Sequence, residues 1–353
     1  MKDNSSATAL RDTVLSPTRV GLAWGFLGVV AFSFTLPLTR IAVDGLSPLF
    51  IGAGRGAVAG LIAVVALLVT RQALPRGTQW ARAAVVAGGV VVGFPFLTSY
   101  ALASTPASHG AVVLGVLPAA TAMMAVLRGH ERPPKAFWIT ASLGAIAAVS
   151  FASLQGLGGL HLADLLLLGA VVAAAIGYAE GGLLARELGA WQTVSWALVM
   201  AAPVMSVITG IEVAQHPPSA TPVQWASFAY LAVISQNLGF LAWYRGLAIG
   251  PMAQVSQIQL TQPVMTLLWA ALLLAEPLNW PTVLGALAVI TCAALSVRTR
   301  LNPRPGAVGS SGPNRPWSMP VRARSARTPE LPPAPSEVRP GVVRTGRRRP
   351  CRG

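Results

Sequence analysis

Residues 101–131 read ALASTPASHGAVVLGVLPAATAMMAVLRGHE, and residues 246–276 read GLAIGPMAQVSQIQLTQPVMTLLWAALLLAE. At an offset of 145 the two stretches align without a gap and match at eight of 31 positions. Leu and Ala matches are cheap in apolar sequence. Pro106 with Pro251, Pro118 with Pro263, Thr121 with Thr266 and Glu131 with Glu276 are harder to obtain by chance. The chain therefore carries an internal duplication.

Outward from this pair, the sequence divides into ten apolar runs: 21–39, 49–70, 83–103, 108–127, 136–154, 163–184, 191–211, 225–244, 252–275 and 280–297. Most come near the ~20 residues a helix needs to cross a ~30 Å hydrocarbon core. The chain is 54% hydrophobic and 10% charged, against about 25% charged for a soluble domain. A soluble fold of 353 residues would lack a charged surface. Helices satisfy their own backbone hydrogen bonds in lipid; the alternating ten-residue pattern of a barrel is absent. The expected fold is an all-α integral membrane protein with ten transmembrane helices in two inverted five-helix repeats. The polar breaks at 153–162 and 212–224 are the longest, and the first divides the spans five and five. An odd number per unit makes the second copy start from the other side of the membrane. The expected divisions are an N-terminal segment 1–19, repeats 20–154 and 155–298, and a tail 299–353. The first run, with Phe34 and Leu36 at its end, is too long for a cleaved signal core. Cys292 and Cys351 make no disulfide framework.

Basic residues alternate between connections. Lys2, Arg11 and Arg19 precede the first run, and Arg71, Arg76 and Arg82 follow the second. Arg128, Arg132 and Lys135 follow the fourth, Arg186 the sixth and Arg245 the eighth. On the other side only Arg40 appears. By the positive-inside rule both termini are cytoplasmic, in a cell inner membrane. From Arg298 onward thirteen arginines face Glu330 and Glu337 in Pro- and Gly-rich sequence, and a disordered tail is expected. Its Arg347-Arg348-Arg349 cluster suits anionic lipid heads or merely reinforces topology; nucleic acid is not an expected partner.

These features resemble the EamA-like branch of the drug/metabolite transporter superfamily. The likeness covers roughly 20–298. It rests on two five-helix repeats, Trp24-Gly25 in the first span, and Pro48 with Arg55 in the second. It also rests on Pro118 and Pro263 followed by Glu131 and Glu276, and on Glu276-Pro277 before Gly285. The resemblance implies alternating-access export or import of amino acids, other metabolites or toxic compounds. One departure is Tyr178-Ala179, which stands roughly where a second Trp is expected.

Ionisable groups inside a bilayer cost at least a few kcal/mol and face a bundle interior or wet cavity. Arg55 and Glu180 are such groups. They either bind a charged substrate group or a coupling proton, or pair structurally, with Glu180 reaching the interface or meeting Arg186 nearby. Gly52, Gly56 and Gly60 form a small-residue ridge around Arg55, for packing within the chain or as the seam of a homodimer. The densest polar group lies in the eighth and ninth spans: Gln236, Asn237, Tyr244, Gln254, Ser256, Gln257, Gln259, Thr261 and Gln262. Their amides both donate and accept, as polar neutral or zwitterionic solutes require. Candidate substrate-binding residues are Gln236, Asn237, Tyr244, Gln257, Gln259, Gln262, Arg55 and Glu180. The alternative for the cluster is hydrogen bonding between helices. His109 aligns with Gln254 and is either interfacial or near an entrance. Pro118 and Pro263 should kink or unwind their helices and serve as hinges. Glu131 and Glu276, beyond helix ends, suit capping or gating.

The sequence has no phosphate-binding loop, and His130-Glu131 lacks a second His at metal spacing. No enzyme, cofactor or metal is expected. The expected function is secondary transport of a small molecule, most simply export, ahead of a membrane scaffold or sensor and an intramembrane enzyme.

Overall fold

The computed structural model describes residues 17–129, 134–155, 161–250, 255 and 258–301, all within one compact unit. Every regular element among them is helical. The first expected span is α1 (Pro17–Ser33) and α2 (Thr35–Val43), broken at Phe34, and the second is α3 (Pro48–Val69). The third is α4 (Thr78–Val86), a π-helical stretch Ala87–Gly93, and α5 (Phe94–Leu102). Then come α6 (Ala107–Leu114), α7 (Leu117–Gly129), α8 (Lys135–Gln155), α9 (Leu162–Leu188) and α10 (Ala190–Gln215). The next span is α11 (Pro222–Ala229), a second π-helical stretch Tyr230–Gly239, and α12 (Phe240–Ile249). A 3₁₀ turn, Gln259–Thr261, leads into α13 (Gln262–Leu274), and α14 (Trp280–Leu301) closes the described chain.

Seven stretches are long and apolar enough to cross a bilayer, and three shorter apolar helices cover Lys135–Phe151, Gln259–Leu274 and Trp280–Leu295. Several helices outrun their apolar runs. The sixth, expected over 163–184, is Leu162–Leu188, because His161 and Asp164 form a capping box and Arg186 and Glu187 extend the last turn. Leu61, Leu68, Val172, Val207, Leu272 and Leu284 lie on the exposed surface, as lipid-facing positions should.

The shift of 145 carries α7, 117–129, onto 262–274, the bounds of α13. It carries the start of α8 from 135 to 280, the start of α14, and the first π-helical stretch, 87–93, onto 232–238 inside the second. The 17–43 spanned by α1 and α2 maps onto 162–188, the single helix α9. Trp24 maps onto Gly169, not onto the Tyr178-Ala179 step, which corrects that expectation.

Small residues set the closest crossings. A Cβ on Gly246 of α12 would lie 2.6 Å from the Gly25 nitrogen of α1. The ridge on α3 is used within the chain: a Cβ on Gly60 would lie 2.5 Å from Ala202 Cβ of α10, and one on Gly52 2.8 Å from Phe96. With that face buried inside the protomer, it is not free to be a homodimer seam. Residues 1–16, 130–133 and 302–353 lie outside the described residues, so the expectations for the N-terminal segment, Glu131 and the tail do too.

Candidate functional site

Ser47 and Pro48 start α3 firmly: the Ser47 hydroxyl accepts from Phe50 N at 3.1 Å, and Pro48 has no N–H to leave unsatisfied. Two turns on, Arg55 is buried with 1% of its surface exposed. Its Nε donates to Gln236 Oε1 at 3.0 Å, and its Nη2 to Ser235 Oγ at 3.4 Å. Ser235 Oγ lies 2.9 Å from Thr35 Oγ1, so the layer joins α2, α3 and the second π-helical stretch.

Gln236 reaches further, donating from Nε2 to the Val90 carbonyl at 3.0 Å. That carbonyl is free for a local reason. In the π-helical stretch the Phe94 N–H bonds to Gly89, one carbonyl back, and the next residue, Pro95, has no N–H. A proline after a widened turn thus presents an acceptor to the other repeat.

Two small cavities adjoin this layer, each of about 10 Å³ and sharing Leu36, Leu114 and Gln262 in their walls. One is lined by Arg55, Thr35, Tyr178 and Ser235, the other by Pro118, Pro263, Gln259 and Thr266. Each has room for about one water molecule. Gln259 is 2% exposed, yet neither amide atom has a partner, nor has Gln262 Oε1 or Arg55 Nη1. Pro118 and Pro263 each stand second in their helix, after a turn at Gly115–Val116 and after the 3₁₀ turn respectively. The two helix interruptions therefore meet at the second cavity. The break at Phe34 is braced beside them: Thr266 Oγ1 donates to the Ser33 carbonyl at 3.0 Å, and Trp269 stacks on Phe34 at 4.3 Å.

The helix ends differ. At the end where α4 begins and α7 stops, Glu180 of α9 pairs with both Arg82 and Arg128, the latter at 2.5 Å. Arg82 also pairs with Glu187. A cleft of about 360 Å³ opens beside them. At the opposite end, Ser104–Thr105, His109, Asp164, Glu276 and Asn279 line a vestibule of about 580 Å³. His109 Nε2 lies 2.7 Å from Asp164 Oδ1. Glu276 accepts from the Ala107 and Ser108 N–H groups, both at 2.8 Å, and so caps α6. Ala275, at φ +52°, turns the chain to aim that carboxylate. From the vestibule, α6 runs inward from Ser108 and His109 to Ala111 and Leu114 in the cavity wall.

Of the candidate residues, the structure brings together Arg55, Gln236, Gln259, Gln262, Pro118 and Pro263. Tyr244 adjoins Gln236 in the wall of a neighbouring void, but its hydroxyl is turned away from the layer and donates to the Gly177 carbonyl at 3.0 Å, at the crossing of α9 and α12. Asn237 Nδ2 donates to the Ala232 carbonyl of its own helical stretch at 3.0 Å. Glu180 sits at the helix ends and pairs structurally with Arg82 and Arg128, while Arg186, one of the alternatives for it, donates from Nη2 to the Leu247 carbonyl. Gln254, Ser256 and Gln257 lie outside the described residues. Sequence reasoning missed Ser235, Thr35, Asp164 and the gripping role of Arg82 and Arg128. Asp164, a lone acid opening a span, carried a signal; Ser235 and Thr35 carried none, since single hydroxyls are common in membrane helices.

Comparison with known proteins agrees with this architecture. The model of the EamA-like transporter family matches residues 19–153 and again 161–298. The chain is 42% identical over 292 residues to the "Uncharacterized transporter YdeK" of Bacillus subtilis (strain 168), covering 80% of this chain and 99% of that protein. A solved structure described only as "Crystal structure of protein" shares the fold with a TM-score of 0.57 at 16% identity, over 81% of this chain and 99% of that one.

Proposed function

Because the chain belongs to the EamA-like transporter family and is a membrane transporter, we propose that it is a secondary active exporter working by alternating access between its two repeats. Its substrates are small metabolites, amino acids or similar polar compounds, or drugs. The observation that carries this reading is the buried polar layer between the repeats, closed on itself and flanked by a vestibule at one end and ion pairs at the other. All ten apolar helices cross the membrane, and the arginine-rich end lies in the cytoplasm, in keeping with the charge alternation. Substrate binds against Arg55, Gln236, Gln259 and Gln262. The interruptions before Pro118 and Pro263 let the fourth and ninth spans bend as the repeats rock. With the vestibule open and the ion pairs made, this conformation faces outward with its centre shut. A proton gradient is the proposed source of energy, and the Arg-rich tail is dispensable.

The test is flux in proteoliposomes containing the purified chain, with substrates chosen by their thermal stabilisation of the folded protein. Gln236→Ala and Gln259→Ala are expected to lower flux at least tenfold with normal membrane insertion. Wild-type flux in both would remove the central layer from the pathway.

A further inference from the structure

We propose that the central layer is built for a small organic monoanion, a carboxylate on a neutral polar body, in preference to a zwitterion or a cation; this rests on the transport reading above. The argument is one of charge. Arg55 is the buried cation of the layer, and its two hydrogen-bonded groups point at the neutral partners Gln236 and Ser235. Nη1 has no partner, and Arg55 lines a cavity that it shares with Tyr178 and Gln262. Among the described residues no carboxylate pairs with it. Glu180 is taken by two arginines, Asp164 by His109, Glu212 by Ser47 and Glu276 by the start of α6. The layer's own side chains therefore carry one uncompensated positive charge.

A buried charge without a counter-charge is costly, and the cost is relieved when an opposite charge joins it. A guest carboxylate on Nη1 brings the layer to zero. A zwitterion leaves it at one positive charge and adds an ammonium for which the layer offers amide oxygens but no carboxylate. A cation doubles the charge, and a phosphate dianion finds only one cation. The unpartnered amide of Gln259 and the unpartnered Oε1 of Gln262 supply donor and acceptor sites for a hydroxyl or amide on the guest's neutral part. The adjoining cavities, about 10 Å³ each, admit this guest only when the helices part at their interruptions.

The experiment uses the full purified chain and matched compounds on the alanine, leucine and phenylalanine skeletons. Each skeleton supplies the free amino acid, its N-acetyl acid, the N-acetyl methyl ester and the corresponding amine, hence zwitterion, anion, neutral molecule and cation. Binding is read as the shift in unfolding midpoint at 10 mM compound. Flux of the amino acids and N-acetyl acids is read in proteoliposomes against empty liposomes. The expected result is a rise of at least 3 °C and at least fivefold flux for one or more N-acetyl acids, with the other classes doing neither. Arg55→Gln should abolish both effects while leaving the ligand-free midpoint unchanged or raised, since it removes an uncompensated charge. Arg55→Lys should keep the preference for anions with a smaller shift. Equal stabilisation by N-acetyl acids in Arg55→Gln, or a ligand-free midpoint lowered by more than 5 °C, overturns the proposal. Transport of zwitterions without anions overturns the charge assignment and leaves the transport reading standing. Absence of binding and flux in every class overturns both.

Discussion

At one end of the bundle Glu180 is gripped by Arg82 of α4 and Arg128 of α7; at the other, Glu276 caps α6 through two backbone N–H groups beside an open vestibule. Both glutamates come from the second half of the chain, and both tie it to the first. The chemistry differs. Glu180 meets two full charges, which hold only while both arginines are in place and which solvent weakens as the end opens. Glu276 meets a helix terminus, a fixed array of donors that moves as one body with α6. The first contact suits a gate that must break, and the second a strut that keeps a helix in register. The different partners of these two carboxylates make two nearly equivalent repeats mechanically unequal.

The sharpest way to break this comparison is Glu180→Gln. Removing the charge leaves two arginines facing each other at partly exposed positions, at a cost of about 1–3 kcal/mol after allowance for solvent screening. Transport should fall at least tenfold, and a cysteine at Ile176 should become reactive to a membrane-impermeant maleimide added from that side. Unchanged flux and unchanged reactivity would mean that these ion pairs are no gate. The matching change at the other end, Glu276→Ala, should lower the unfolding free energy by about 1–2 kcal/mol through loss of the α6 cap. Glu276→Gln, which keeps one acceptor oxygen, should cost less. A larger flux defect than in Glu180→Gln would reverse the assignment of gate and strut.

A subtler change sharpens the strut. Ala275 holds a left-handed conformation that glycine adopts without strain, so Ala275→Gly should be neutral or stabilise by up to ~1 kcal/mol in thermal unfolding. Marked destabilisation would show that the Ala275 methyl matters more than the turn. The smallest effect is expected from truncation after Asn302, which should leave flux within twofold of the full chain. A larger loss would bring the tail into the mechanism of the arginine-rich end.

The repeat explains how much of the site was legible. Thr35 and Glu180 stand 145 residues apart at equivalent positions, yet one joins the central layer and the other an ion-paired helix end. Arg55 has Met200 as its counterpart, and Gln236 has Val91. The duplication foretold the shared backbone, including the paired interruptions near the prolines. It did not foretell the polar layer, which belongs to neither repeat alone. Arg55, Gln236, Gln259 and Gln262 were visible as polar residues in apolar runs; Tyr244 and Asn237 looked the same but turn to backbone carbonyls instead.

The sequence by itself determined the helices, the internal duplication and the alternation of basic connections. Those properties are sums over neighbours along the chain: apolar length, charge count and residue register. The tertiary structure alone decided which buried polar groups meet. That depends on the rotation and closeness of helices far apart in sequence. A Gly25–Gly246 crossing or a Pro95 that frees the Val90 carbonyl sets these to within an ångström, while composition and spacing leave them open.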